Sequence, residues 1–152
     1  MIEIESRELA DIPVLHAYPV GQKDTPLPCA IFYHGFTSSS LVYSYFAVAL
    51  AQAGLRVIMP DAPDHGSRFS GDAARRLNQF WQILLQSMQE FTTLRAAIAE
   101  ENWLLDDRLA VGGRDDGTGN YRSPPHGEMY RQHDGIGLFY IARPFTVSTA
   151  DT

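Results

Sequence analysis

The sequence predicts an α/β fold with a mostly parallel sheet led by antiparallel strands. Three observations carry the prediction. Two short segments come first, Ile2 to Arg7 and Val14 to Val20. Three apolar segments follow, Ala30 to Tyr33, Leu55 to Met59 and Leu109 to Val111, without the alternation of a half-exposed strand. Helical periods separate these three, and strand, helix, strand, helix, strand implies parallel pairing through right-handed crossovers.

Each element has its own grounds. Ile2 to Arg7 alternates apolar and polar, as a half-buried strand does, and Val14 to Val20 reads as its neighbour, with Pro13 and Pro19 at its ends. Gly21 to Pro26 is a turn. Val42 to Ala53 is helical, with Tyr45, Phe46, Ala49, Leu50 and Ala53 on one face and Gly54 as the stop. From Asp72 to about Glu100 a long helical pattern runs through Leu77, Phe80, Trp81, Leu84, Leu85, Met88, Phe91, Leu94 and Ile98. Ser70 or Asp72 is its cap, and the Phe80, Trp81, Met88, Phe91 stripe is core packing rather than a cofactor box.

After Gly113 the pattern changes. Residues 114–152 are dense in Gly, Pro and Arg, only Ile136 to Ala142 resembles a strand, and no segment has helical period. The division expected is a partial α/β domain over 1–113 and an aberrant, poorly ordered tail over 114–152. The sheet should then be incomplete and end at the strand around Leu109 to Gly112, leaving a hydrophobic edge.

Composition narrows the function classes. The 152 residues suit one domain with a core. A net charge of -6, a pI near 5.2 and a single basic pair, Arg75-Arg76, argue against nucleic acid or an anionic membrane as partner. The one cysteine, Cys29, lies in an apolar strand, so no disulfide framework exists, which fits the cytoplasm. The N-terminus is acidic and alternating, unlike a signal peptide, and no apolar run approaches a membrane span.

Two antiparallel leading strands, then a strand ending in His34-Gly35-Phe36, a helix, a strand ending in Pro60-Asp61, a helix, and a strand ending in Gly112-Gly113 are in the order of the α/β-hydrolase fold. Over about residues 1–113 the chain resembles bacterial carboxylesterases of the dienelactone-hydrolase and prolyl-oligopeptidase-like branch. The match covers the front half of a domain that such proteins complete in about 200 to 250 residues. The resemblance implies hydrolysis of carboxylic esters or thioesters through a serine nucleophile, on a small-molecule substrate, with no metal and no cofactor. It also implies that the Phe36 backbone N–H is one donor of an oxyanion hole, on a turn shaped by His34 and Gly35. The loop Thr37 to Ser40 could cap the following helix.

The same resemblance places the nucleophile in Gly-x-Ser-x-Gly after the last of these strands. Here the stretch reads Gly113-Arg114-Asp115-Asp116-Gly117. The elbow glycines, Gly113 and Gly117, keep their spacing, Asp115 stands in the serine slot, and Gly-x-Ser-x-Gly occurs nowhere in the chain. An aspartate nucleophile is the enzymatic alternative. Against it stand the bulky charged Arg114 and Asp116, and the closeness of His126 and His133, which leaves no room for the remaining strands. Asp64-His65-Gly66-Ser67 is no triad, because adjacent residues point apart; it reads as a polar turn beside the site. His16 is expected to face solvent or make a core hydrogen bond. Dropping the first base of the Arg114 codon lets a permissible back-translation read a peptide with a helical opening, an Arg-His-Pro turn and a small-residue strand. That favours a frame-shifted tail and an inactive chain. A non-catalytic interaction domain with a natural variable tail is the rival.

Overall fold

A computed structural model describes residues 1–113, together with 129–130 and 139–142. The leading strands β1 (Ile2–Leu9) and β2 (Ile12–Pro19) form an antiparallel hairpin. Ala10 and Asp11, at φ 48° and 64°, make its two-residue turn, a backbone whose twist matches the strands it joins. β3 (Leu27–Tyr33) pairs in parallel with β4 (Arg56–Pro60) on one side and with β5 (Leu104–Gly113) on the other. β2 pairs antiparallel with β4.

The expected strands are thus present, with β5 longer than its apolar core. Asp106 and Asp107, at φ 51° and 54°, interrupt β5, and the register against β3 shifts between Leu27 and Cys29. The sheet does not end at β5. Two short strands, β6 (Met129–Tyr130) and β7 (Phe139–Ala142), extend it, with Ile141 opposite Ala110, in the order β1-β2-β4-β3-β5-β7-β6. β7 falls within the one strand-like stretch of the tail and covers the edge that was expected to be bare. The remainder of 114–152 lies outside the described residues.

Both faces of the sheet are covered, which explains the missing alternation. Val14, Ile31 and Ile58 point to one face, where Leu94, Ile98 and Trp103 pack. Leu15, Phe32, Val57 and Met59 point to the other, against Tyr43, Ala47 and Ala51. Helix α1 (Ser44–Gln52) is shorter than expected, and its buried face differs. Ala47 and Ala51 lie on the sheet while Tyr45 is 58 % exposed, because small side chains let the helix approach closely. Tyr43 is its N-cap, but its side chain does not cap the helix; Ser39 Oγ instead accepts from Val42 N–H at 3.4 Å, ahead of the helix.

The long helix is two. α2 (Ala73–Asn78) and α3 (Phe80–Glu100) are separated by Gln79, at φ -109° and ψ 19°. Asp72 caps α2 as expected, accepting from Arg75 N–H at 2.9 Å. The stripe is core only in part. α3 buries Ile83, Leu94 and Ile98, whereas Leu77, Trp81 and Leu85 are 58 to 62 % exposed. Periodicity identifies a helix face but cannot say how far along its length the sheet extends beneath it.

Candidate active site

The chain leaves β3 to one side, through α1 to β4, and then returns past β3 to reach β5 on its other side. The strand order therefore reverses at β3, and ligand sites of open α/β sheets lie outside the carboxyl ends of strands at such a point. Tyr33 and Gly113 end the two strands directly opposite each other. A Cβ on Gly113 would lie 3.3 Å from that of Tyr33, so the residue there must be small for the strands to stay this close.

From the end of β3 the chain turns through His34, Gly35 and Phe36. Among the described residues the Phe36 N–H donates no hydrogen bond. Its surroundings are held firmly. His34 donates from Nδ1 to its neighbour's carbonyl, Gly35 O, at 2.8 Å, so its Nε2 is an acceptor, and Ala62 N–H donates to it at 3.0 Å. His65 repeats the arrangement, with Nδ1–H on Pro63 O at 2.8 Å and Nε2 accepting from Thr37 N–H at 2.8 Å. The two imidazoles lie 5.2 Å apart, and the Phe36 ring lies 5.0 Å from that of His65. Thr37 is held at φ 69°, a costly conformation for a β-branched residue, and the bond to His65 helps to hold it there.

Asp61 ties the third piece in. Its carboxylate is buried and accepts from Ser40 N–H at 2.9 Å and from Ser67 Oγ at 2.8 Å and N–H at 3.3 Å. Arg68 donates to Asp61 O at 3.2 Å and forms a two-pronged pair with Glu90 of α3, at 2.7 and 2.8 Å. The loop after β3, the loop after β4 and helix α3 are thereby joined through four side chains.

The electrostatics agree with this geometry. Burial pushes the pKa of His34 down, against the hydrogen bond to Gly35 that favours the cation, and burial likewise lowers His65. Both are held in the neutral form that their Nε2 acceptor role requires. Burial pushes Asp61 up, but the hydrogen bonds from Ser40 and Ser67 outweigh it and leave the carboxyl below its usual value.

His34, Gly35, Phe36 and Gly113 are thus gathered at one place. Asp115 and Gly117, with His126 and His133, lie outside the described residues. Asp64 to Ser67 is a turn beside the site, but His65 is fully buried and bonded into the Phe36 loop. Sequence reasoning missed this role, as it missed Asp61; the available signal was that the Pro60-Asp61 strand end must sit beside the His-Gly end of β3. His16 makes the core hydrogen bonds, to Glu5 at 2.9 Å and Arg56 at 2.7 Å, opposite Ile58 on the strand register and apart from the bonds that hold the Phe36 loop. Among the described residues no cluster of side chains suits a metal ion, and no helix is long and apolar enough to cross a membrane.

No family model matches the chain. It is 99% identical over 113 residues to Esterase YjfP of Escherichia coli, a match covering 74% of this chain and 45% of that protein. It is 32% identical over 114 residues to YitV of Bacillus subtilis, which also bears an esterase name, with the same coverage of each. The chain therefore spans less than half the length of these relatives. Among solved structures, a dienelactone hydrolase by name from Klebsiella pneumoniae superposes with a TM-score of 0.61 at 18% identity, over 75% of this chain and 50% of that one.

Proposed function

We infer that the chain, which shares the fold of α/β hydrolases over its described part and is 99% identical to an esterase over 113 residues, carries the oxyanion-binding half of an ester-hydrolysing site. The observation that carries this reading is the Phe36 N–H, unengaged among the described residues, at the topological switch point, on a loop over-determined by His34, His65 and Asp61. As an ester or thioester carbonyl becomes tetrahedral, its oxygen gains charge, and a donor already in position stabilises it without reorganisation. The substrate is a small-molecule ester or thioester.

The chemistry this half lacks is the nucleophile. A serine in the elbow would attack the carbonyl, and this chain has Asp115 in that slot. The chain as written does not turn over esters through serine, since loss of the nucleophile costs about a million-fold in triad enzymes. The match to the Escherichia coli esterase leaves out about a quarter of the chain, which supports reading residues 114–152 as a shifted frame; resequencing the gene from codon 110 tests that directly.

Two measurements test the functional reading. A fluorophosphonate probe should not label the purified chain, and stoichiometric labelling would overturn its inactivity. Joining residues 1–113 to the C-terminal part of the Escherichia coli esterase should give hydrolysis of p-nitrophenyl acetate. In that joined chain Phe36→Pro, which deletes the N–H, should lower kcat by about 100- to 1,000-fold. Unchanged kcat would remove Phe36 from the oxyanion role.

A further inference from the structure

The ring of Phe36 is the first of three. Phe80, the first residue of α3, stands edge-on to it with centroids 4.8 Å apart and planes at 86°. Trp81 stands edge-on to Phe80 at 5.2 Å and 77°. The last ring is 62 % exposed, and Leu77, four residues earlier on α2, is 60 % exposed. Isolated exposed apolar residues need no explanation, but here a continuous ladder of aromatic rings runs outward from the residue that carries the candidate donor.

We propose that Phe36, Phe80 and Trp81 form the wall that receives the acyl part of the substrate, and that the class it takes is esters of aryl-substituted carboxylic acids. This rests on the reading that the ester oxygen sits on the Phe36 N–H. An oxygen held on that N–H places the acyl substituent within reach of the same residue's ring. Aromatic rings attract one another in edge-to-face and offset arrangements at centroid separations of about 4.5–7 Å, and the existing ladder already has that geometry. An aryl group laid against Trp81 extends the ladder by one more ring and removes from water the apolar surface that Trp81 now exposes. A methyl group reaches none of this. The break at Gln79 has a purpose in this light, because it starts a new helix whose first two side chains are Phe80 and Trp81.

The test uses the full chain, ¹⁵N-labelled, with methyl phenylacetate and methyl acetate as probes. The chain has no Gly-x-Ser-x-Gly, so the esters can be titrated without turnover. The Phe36 amide reports the oxygen and the Trp81 indole N–H reports the wall, while the buried Trp103 indole is the internal reference. Methyl phenylacetate should shift both the Phe36 and Trp81 signals saturably. Methyl acetate should shift Phe36 alone, with about tenfold weaker affinity. Trp81→Ala, at an exposed site where folding is not at stake, should weaken methyl phenylacetate by about five- to tenfold and leave methyl acetate unchanged. A Phe36 shift with both esters and no Trp81 shift would overturn the wall and leave the oxyanion reading standing. Silence at Phe36 with both esters would overturn the oxyanion reading and the wall with it. A Trp81 shift that follows protein concentration without ester would assign the ladder to a second copy of the chain, against the proposal.

Discussion

The backbone N–H of Thr37 donates to Nε2 of His65 across 28 residues of sequence, at 2.8 Å. This bond holds a threonine in the left-handed region and fixes the loop that presents Phe36. The His65 ring also lies against the Phe36 ring, with centroids 5.0 Å apart and planes tilted by 59°. His65→Ala should therefore destabilise the fold by about 2 kcal/mol, through the lost hydrogen bonds and the cavity. Chemical denaturation monitored by circular dichroism reads this, and an unchanged midpoint would contradict the linking role.

Stability should fall in acid before the carboxylates titrate. His16 is pushed down to about 4, first by burial and further by the Arg56 charge, although its hydrogen bond to Glu5 favours the cation. Between its unfolded value near 6.5 and about 4, the unfolded chain binds more protons than the folded one, so lowering pH favours unfolding. The contribution is complete above about pH 6.5 and is lost on the way down to about pH 4, where it amounts to on the order of 3 kcal/mol. His34 and His65, lowered in the same sense, add to the slope. Denaturation midpoints at pH 7.5, 6.0 and 4.5 should decrease in that order; a flat profile would contradict the three neutral imidazoles.

Gly66 has a φ of 52°, and a Cβ there would meet the Asp61 carboxylate, 2.6 Å from its Cγ. Gly66→Ala should push Asp61 off Ser40 and Ser67 and cost about 3 kcal/mol, from backbone strain and overpacking together. The Ser40 amide, observed by NMR, should lose its protection from hydrogen exchange. Retained protection would show that Asp61 yields without releasing Ser40.

Arg56 is fully buried and donates to His16 Nε2, to Thr25 O at 2.7 Å and to Gln22 O at 3.3 Å, with its guanidinium 4.7 Å from the Trp103 ring centre. Arg56→Met keeps most of the packing but removes the charge and the donor. The His16 pKa should rise, as followed by its ring-proton shifts, and the acid sensitivity described above should shrink. Arg56→Ala, which also leaves a cavity, should cost about 3–5 kcal/mol. A His16 titration unmoved by Arg56→Met would show that burial alone keeps the imidazole neutral.

By itself the sequence determined the strands, their two-sided burial and the order that resembles an α/β hydrolase. Runs such as Val57-Ile58-Met59 are apolar on both faces because helices cover both, and that requirement is local enough to be written in the residues. It also determined that Gly-x-Ser-x-Gly occurs nowhere in the chain. What the tertiary structure alone decided depends on what each element meets. Tyr45 and Trp81 have the period of buried residues yet stand exposed, because the sheet does not lie beneath them, and Gln79 breaks a pattern that reads as one helix. The roles of His65 and Asp61 were hidden for the same reason. Their partners, Thr37 and Ser40, are more than 20 residues away, and only the parallel pairing of β3 with β4 brings the two loops together so that a neutral imidazole and a buried carboxylate can hold the Phe36 turn.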